Sequence, residues 1–566
     1  MKHRLCLSLA AVALATAGAA RAQFVPGIQP AEAPTDPAVF QGMTAAQKSC
    51  AALFTREAGE RLAAIPDAPT SINSARVVAA GGTHGAIDRD LPELCRVEGV
   101  ISPTVGFLLR MPTSGWNGKL LMGGCGGPCG TYLEDRFDPA VVRGYAVVTT
   151  DMGHKGAGWL FGYDNPQGQL DFAYRATHLT AEAAKVIVAQ FYGRPPAHDY
   201  FFGCSTGGRQ AMIEAQRFPQ DFDGIIAGAP VYDEIGDGPY FLDWNTRINT
   251  APDGTTILTQ DKLPLIHAAV LSQCDAKDGL KDGLVTDPLK CAFDPATLIC
   301  RPGQAAASCL TAVQADVAQK FHDGARNSQG QRLYFGIPWG AEDQWVNYFG
   351  WVSPTGRQYD GAGYSIVGYL GFGSGPPKGA GYRISDFDYD RDPPRLAMAG
   401  VLYNPGDPDL SRFRAAGGKL IVFHGMNDNN IPVAASIDYY RRAQLANGGA
   451  AETSRFFRLF TPAGMNHCRD GDGGGEADWI SALETWVEHG APPDRMVVYH
   501  LKAPEPTAPR TMEDYGAPYA RVTRYPIDPQ SYDRARPVYP WPTFAHYAGH
   551  GDPALPQSWG PEATSP

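Results

Sequence analysis

The pattern of apolar positions changes character along the chain. Residues 119–123 form a short apolar run, Leu120, Leu121 and Met122, that ends in glycine, and residues 145–150 form a second, centred on Val147 and Val148. Runs this short, bounded by glycine-rich turns, read as strands buried on both faces. Residues 180–191 instead set Ala, Val and Ile on one face at helical spacing. The alternation continues with a strand at 200–203, a helix at 207–218 and a strand at 225–228. Strands alternating with helices predict an α/β fold, a mostly parallel sheet covered on both sides. Between residues 233 and 405 the alternation breaks down. This stretch is rich in Gly, Pro, Asp, Trp and Tyr and holds Cys274, Cys291, Cys300 and Cys309. It reads as an inserted subdomain, because it has aromatics and cysteines enough to pack. A strand at 419–425, a helix at 477–488 ending near Gly490 and a last strand at 496–499 follow. The core is thus expected in two parts, 23–232 and 406–566, the second ending in a proline-rich tail that wraps the surface.

Composition adds most at the N-terminus. Lys2 and Arg4 precede an apolar run over residues 5–20, and Ala20, Arg21 and Ala22 fit a small-x-small cleavage site. Residues 1–22 therefore read as a secretory leader, too short to span a bilayer, with a mature chain starting at Gln23. No other segment is long and apolar enough to span, so a secreted or periplasmic protein is expected. Export changes how the cysteines read. Of 11, Cys6 leaves with the leader, and the even number remaining favours disulfides over metal thiolates. Counting does not fix connectivity. Short spacings suggest Cys125–Cys129, Cys274–Cys291 and Cys300–Cys309, with Cys50, Cys95, Cys204 and Cys468 left over. The net charge of −11, without long acidic runs, argues against a nucleic-acid partner.

Gly203, Cys204, Ser205, Thr206 and Gly207 match G-x-S-x-G and lie between a strand and a helix. That is the context of a nucleophile elbow in an α/β-hydrolase fold. Small residues on either side let the strand turn sharply, expose the serine hydroxyl and leave the Thr206 N–H to hold an oxyanion. A serine nucleophile needs a base, and the base an orienting acid, in the chain order Ser, acid, His. Asp428 follows the strand at 419–425, and His467 lies in a glycine-flanked loop before the next helix. Asp438 and Asp470 compete for the acid, and His424 and His489 for the base. A bond between Cys204 and Cys468 would tie the nucleophile to the base. Gly126 and Gly127, in the loop after the strand at 119–123, are the expected second oxyanion donors. No H-E-x-x-H motif supports a metallohydrolase.

A second constellation runs from Asp275 to Leu284. Asp275, Asp278 and Asp282, with the carbonyls of Leu280 and Leu284, could wrap a hard cation such as Ca2+. It is not an EF-hand, because the twelfth position is Thr286 rather than Glu. The plain alternative is a solvated turn stapled by a disulfide. Trp339, Trp345, Tyr348, Phe349 and Trp351 crowd the insertion, and the reading adopted for them is subdomain core rather than a pocket wall.

These residues together resemble the tannase and feruloyl esterase family, which includes terephthalate monoester hydrolases. The specific pieces are the elbow with Gly208, Arg209 and Gln210; the run from Asp221 to Pro230; Asp428 with Ile431, Pro432, Tyr439 and Tyr440; and His467 with Cys468. The resemblance implies an α/β-hydrolase with a large lid at 233–405, a triad of Ser205, Asp428 and His467, and a Cys204–Cys468 disulfide. It also implies structural calcium at Asp275, Asp278, Leu280, Asp282 and Leu284. Its substrates would be small aromatic esters: hydroxycinnamates first, then gallates, then terephthalate monoesters. A binding protein on a dead hydrolase scaffold is disfavoured by the intact Ser, Asp and His. Relatives carry a tail cysteine where this chain reads Arg536, Pro537, Val538, Tyr539 and Pro540. Cys125 and Cys129 look like an added pair.

Overall fold

The computed structural model describes residues 42–81, 90–156, 158–346, 352, 366–371, 383–502, 522 and 524–562. The expected leader lies outside them. Three N-terminal strands form an antiparallel meander: β1 (Thr70–Val78), β2 (Leu94–Ile101) and β3 (Val105–Pro112). β4 (Lys119–Gly123), β5 (Ala146–Thr150), β6 (His198–Cys204), β7 (Gly224–Gly228), β8 (Lys419–Phe423) and β9 (Phe457–Phe460) then run parallel to one another. All nine join one sheet in the order β1-β2-β3-β5-β4-β6-β7-β8-β9, with β3 antiparallel to β5.

The apolar runs behave as their composition requires. Every residue of β3, β5 and β7 is buried. Their side chains alternate between the two sides of the sheet. Leu120, Met122, Val148, Ile225 and Val422 join the cluster formed with Ile187, Val188 and Met212 of the covering helices Ala176–Tyr192 and Thr206–Arg217. Leu121, Val147, Ile226 and Ile421 join the opposite cluster with Trp479, Leu483 and Trp486 of the helix Trp479–His489.

One strand falls elsewhere than expected. β10 (Met496–Leu501) forms, but it pairs antiparallel with β11 (Tyr532–Val538) in a ribbon of its own. The edge of β9 is taken instead by the tail, where Trp541 N–H donates to the Leu459 carbonyl at 2.8 Å. Covering an edge in this way removes a row of unpaired backbone groups. β12 (Ala545–Tyr547) and β13 (Trp559–Pro561) complete the tail.

Between β7 and β8 no strand joins the sheet among the described residues. This segment is built on the helices Leu263–Cys274 and Ala312–Asp323. Trp339 and Trp345 are buried in it, Trp339 stacked on His322 and Trp345 edge-on to Phe321. The core reading holds for these two; Tyr348, Phe349 and Trp351 lie outside the described residues. The cysteines that follow Cys6 are all paired, as Cys50–Cys95, Cys125–Cys129, Cys204–Cys468, Cys274–Cys291 and Cys300–Cys309.

Candidate active site

Ser205 sits between β6 and the helix Thr206–Arg217 with φ 63° and ψ −123°, a positive-φ conformation that a non-glycine residue adopts only under constraint. Glycines supply the constraint by permitting close approach. A Cβ on Gly203 would lie 2.4 Å from the Gly207 carbonyl, and one on Gly208 would lie 2.3 Å from the Gly228 carbonyl. The Ser205 N–H donates to that same Gly228 carbonyl at 3.0 Å. The turn leaves Ser205 half-buried while Cys204 and Thr206 are fully buried.

Asp428 lies in the loop after β8 with no solvent exposure. Its Oδ1 accepts the N–H groups of Asn430 at 2.8 Å and Ile431 at 3.0 Å. Its Oδ2 meets His467 Nδ1 at 2.8 Å and His424 Nε2 at 3.2 Å. Burial alone would raise this carboxyl, but the charge and hydrogen bonds of His467 and His424 outweigh it and hold Asp428 well below the usual carboxylate range. Cys204 and Cys468 are 264 residues apart in sequence, yet their disulfide sets their Cα atoms 5.9 Å apart. It therefore joins the residue before Ser205 to the residue after His467.

The rival acids and bases lie differently. Asp438 pairs with Arg442 at 2.8 Å on the surface of the helix Val433–Ala446, and Asp470 faces Arg469 at 3.3 Å. His489 ends the helix Trp479–His489. His424 is the instructive one. It is fully buried, its Nδ1 meets Ser436 Oγ at 2.8 Å, and its Nε2 meets the Ile431 carbonyl at 3.0 Å and Asp428 Oδ2 at 3.2 Å. It is a second partner of the Asp428 carboxylate.

The glycine loop after β4 is tied to the elbow. Thr206 Oγ1 donates to the Gly127 carbonyl at 2.8 Å, and Gln210 Oε1 accepts the Cys125 N–H at 2.9 Å. Among the described residues, the N–H groups of Thr206, Gly126 and Gly127 have no internal acceptor. Thr206 also opens its helix, where the dipole favours negative charge.

Residues flanking Asp428 and His467 bind the inserted segment. Asn427 Nδ2 donates to the Gly340 carbonyl at 2.9 Å, Asn429 Nδ2 to the Gln344 carbonyl, and Asn466 Nδ2 to Gln344 Oε1 at 3.0 Å. Buried Glu342 fixes that segment from within, accepting the Gly340 N–H at 2.7 Å and meeting His267 Nδ1 at 2.7 Å. Sequence reasoning misses these asparagines. Their only signal is their crowding beside Asp428 and His467.

In the acidic loop, Asp275 accepts the N–H groups of Asp282 and Gly283, each at 3.1 Å. Asp278 accepts the Leu280 N–H at 3.1 Å and the Thr286 hydroxyl at 2.5 Å. Burial, together with Asp282 and Asp275, raises Asp278. Asp282 Oδ1 and Asp287 Oδ1 are buried without a hydrogen-bond partner. Oxygen-rich, acidic and under-satisfied, the loop has the donor chemistry of a calcium site. The tail supplies one protein cation: Arg536 Nη2 meets Asp282 Oδ2 at 2.6 Å and lies over the Trp559 ring. Elsewhere, ligand atoms of His178, Glu214 and Asp221 gather within 4.8 Å of one another. There His178 Nδ1 is already bonded to Asp221 Oδ2 at 2.6 Å.

Comparison with known proteins decides the family. The family described as "Tannase and feruloyl esterase" matches residues 89–362 and 380–560. The chain belongs to the tannase and feruloyl esterase family. It is 34% identical over 477 residues to an uncharacterized esterase of Xanthomonas campestris, covering 76% of this chain and 81% of that one. It is 32% identical over 536 residues to the mono(2-hydroxyethyl) terephthalate hydrolase of Piscinibacter sakaiensis, covering 82% and 83%. The crystal structure of feruloyl esterase B from Aspergillus oryzae matches with a TM-score of 0.76 at 24% identity, over 91% of this chain and 100% of that one. The fold is that of the α/β hydrolases, and this member of the tannase and feruloyl esterase family is a carboxylic ester hydrolase. No helix of the described residues is long and apolar enough to cross a membrane.

Proposed function

We propose that this esterase is an exported serine hydrolase that cleaves esters of aromatic acids, with hydroxycinnamate esters of the feruloyl type as its substrates. The observation that carries the mechanism is the disulfide that bonds the neighbour of an elbow serine to the neighbour of a histidine held by a buried carboxylate. With His467 Nδ1 committed to Asp428, Nε2 is the basic ring nitrogen. It takes the Ser205 proton as the hydroxyl attacks the ester carbonyl. The N–H groups of Thr206 and of Gly126 or Gly127 hold the oxyanion, the alcohol leaves, and water activated by His467 frees the acid. Residues 233–405 act as the lid. The leader read at residues 1–22 and the five disulfides support export. Calcium held by Asp275, Asp278 and Asp282 with the Leu280 and Leu284 carbonyls would neutralise the loop and brace the lid.

The relative named as a terephthalate monoester hydrolase supports a second acyl class, and gallate esters are a third. Initial rates on methyl ferulate, methyl gallate and a terephthalate monoester, beside Ser205→Ala, test both parts. The expected result is preference for ferulate, with a loss of at least about 10³-fold in the variant. Full activity in Ser205→Ala overturns the mechanism.

A further inference from the structure

The Cys125–Cys129 disulfide closes the chain over the stretch that holds Gly126 and Gly127. Along residues 121–130 every residue is buried except Gly126 and Gly127, and along residues 201–210 every residue is buried except Ser205. Within these two stretches, the loop and the elbow open to solvent only at the residues assigned to the reaction. Their backbones also pack directly. A Cβ on Gly207 would lie 2.7 Å from the Cys125 carbonyl oxygen, and one on Gly124 would lie 2.8 Å from Gly207 Cα.

The two glycines pose a physical problem. An N–H that is to hold an oxyanion cannot also be engaged in a structural hydrogen bond, and glycine has no side chain to pack and the freest backbone of any residue. Gly127 sits at φ 55°, in the left-handed region. Its position has to be fixed from outside, and three restraints surround it. Before the glycines, the Cys125 N–H donates to Gln210 Oε1 at 2.9 Å, and Gln210 Nε2 in turn donates to the Thr177 hydroxyl at 2.8 Å. At the glycines, the Gly127 carbonyl accepts the Thr206 hydroxyl at 2.8 Å. After them, Cys129 turns back on the loop, its N–H donating to the Gly126 carbonyl at 3.1 Å, with φ 65°, a conformation that residues with a side chain rarely adopt. The disulfide ties this far end to Cys125, the residue anchored on Gln210, with their Cα atoms 5.3 Å apart. Both half-cystines are 3% exposed, so the bond is a buried brace.

We propose that the Cys125–Cys129 disulfide and the Thr206 hydroxyl form a clamp that positions the N–H of Gly126 or Gly127 for the oxyanion. This rests on the serine-esterase reading of the same site. The clamp acts through the glycines and does not touch the substrate. A bond between residues four apart removes little chain entropy, so its loss should barely change stability. A donor moved by a fraction of an ångström, by contrast, loses much of its hold on a developing charge. The experiment measures kcat, KM and Tm for wild type, Ser205→Ala, Cys125→Ser with Cys129→Ser, Thr206→Val and Thr206→Ser. The substrate is whichever of methyl ferulate, methyl gallate and monomethyl terephthalate the wild type cleaves fastest. The cysteine variant is expected to lose about 5-fold or more in kcat, with KM changed less than about 3-fold and Tm lowered by no more than about 5 °C. Thr206→Val is expected to lose kcat by the same criterion, and Thr206→Ser, which keeps the hydroxyl, to recover it. If the cysteine variant does not fold, the two Thr206 variants decide. A smaller loss in either variant, or a loss carried by KM, overturns the clamp while a dead Ser205→Ala leaves the esterase reading intact. Full activity in Ser205→Ala, or a wild type that cleaves none of the three esters, overturns both.

Discussion

His424 shows how a single side chain can be misread from sequence. A histidine four residues before the acid looks like a rival base. Folded, it shares Asp428 Oδ2 with His467 and is anchored by Ser436. Its contacts, to Asp428 Oδ2 and to the Ile431 carbonyl, are those of a group that holds the carboxylate in place. His424→Gln is therefore expected to lower kcat by about 10-fold with little change in KM, the signature of a group that acts only on the transition state. An equal rise in KM would argue against positioning. Glu214 carries a second prediction at this scale. It is fully buried with no donor at either oxygen, and burial, with Asp221 beside it, raises it well above its ordinary value of 4.5. An acid raised on folding stabilises fully below its unfolded value and loses that contribution as pH rises through the folded one. Glu214→Gln removes this loss. Its Tm is expected to match wild type near pH 4 and to exceed it increasingly towards pH 8, measured by thermal melts across pH. A difference that shrinks with rising pH would refute the assignment. Individual chemistries such as the elbow were legible in the sequence because close approach leaves glycine no substitute. The pairing of Asp428 with His467 was legible too, but the contact of His424 with the same carboxylate was not, because a fold brings such groups together from loops whose composition says nothing about direction.

At the scale of elements, β4, β5, β6, β7 and β8 were readable because they are short apolar runs between turns; β3 was not, although every residue of it is buried. β1 and β2 were not, because they are only partly buried and carry polar residues such as Ser71, Arg76, Arg96 and Glu98 along their length. β10 is legible as a strand but its partner is not, since an apolar run does not record which edge it meets. The link between elements that matters most for the site is Cys204–Cys468. Cys204→Ala with Cys468→Ala is expected to lower stability by up to roughly 5 kcal/mol on a chain-entropy estimate for so long a loop. Activity should fall further than the lost fraction of folded protein explains. Denaturant unfolding and kcat on the same preparations separate the two effects, and unchanged kcat per folded molecule would show that the bond serves stability alone.

At the scale of the whole molecule, the tail is held to the rest of the chain by charged and backbone contacts rather than by a disulfide. Arg536 reaches Asp282 in the acidic loop, Lys290 meets Glu562 at 2.8 Å, and Trp541 covers the β9 edge. The loop and the tail are thus expected to report on each other. A chelator should lower the Tm of wild type by several degrees and have a smaller effect on Asp282→Asn; no shift in wild type would count against calcium in the loop. The insertion between β7 and β8, which adds no strand to the sheet among the described residues, was legible in the sequence as a break in periodicity. The docking of that insertion beside Asp428 and His467 was not, because it runs through the side-chain amides of Asn427, Asn429 and Asn466.

The bond between Cys204 and Cys468 also encloses the entire stretch between β7 and β8 in a covalent ring. A protease that cuts once anywhere inside that ring yields two polypeptides, yet they travel as one molecule until a reductant separates them. In surroundings rich in proteases, a nick between β7 and β8 would therefore not release the part that carries Ser205 from the part that carries Asp428 and His467.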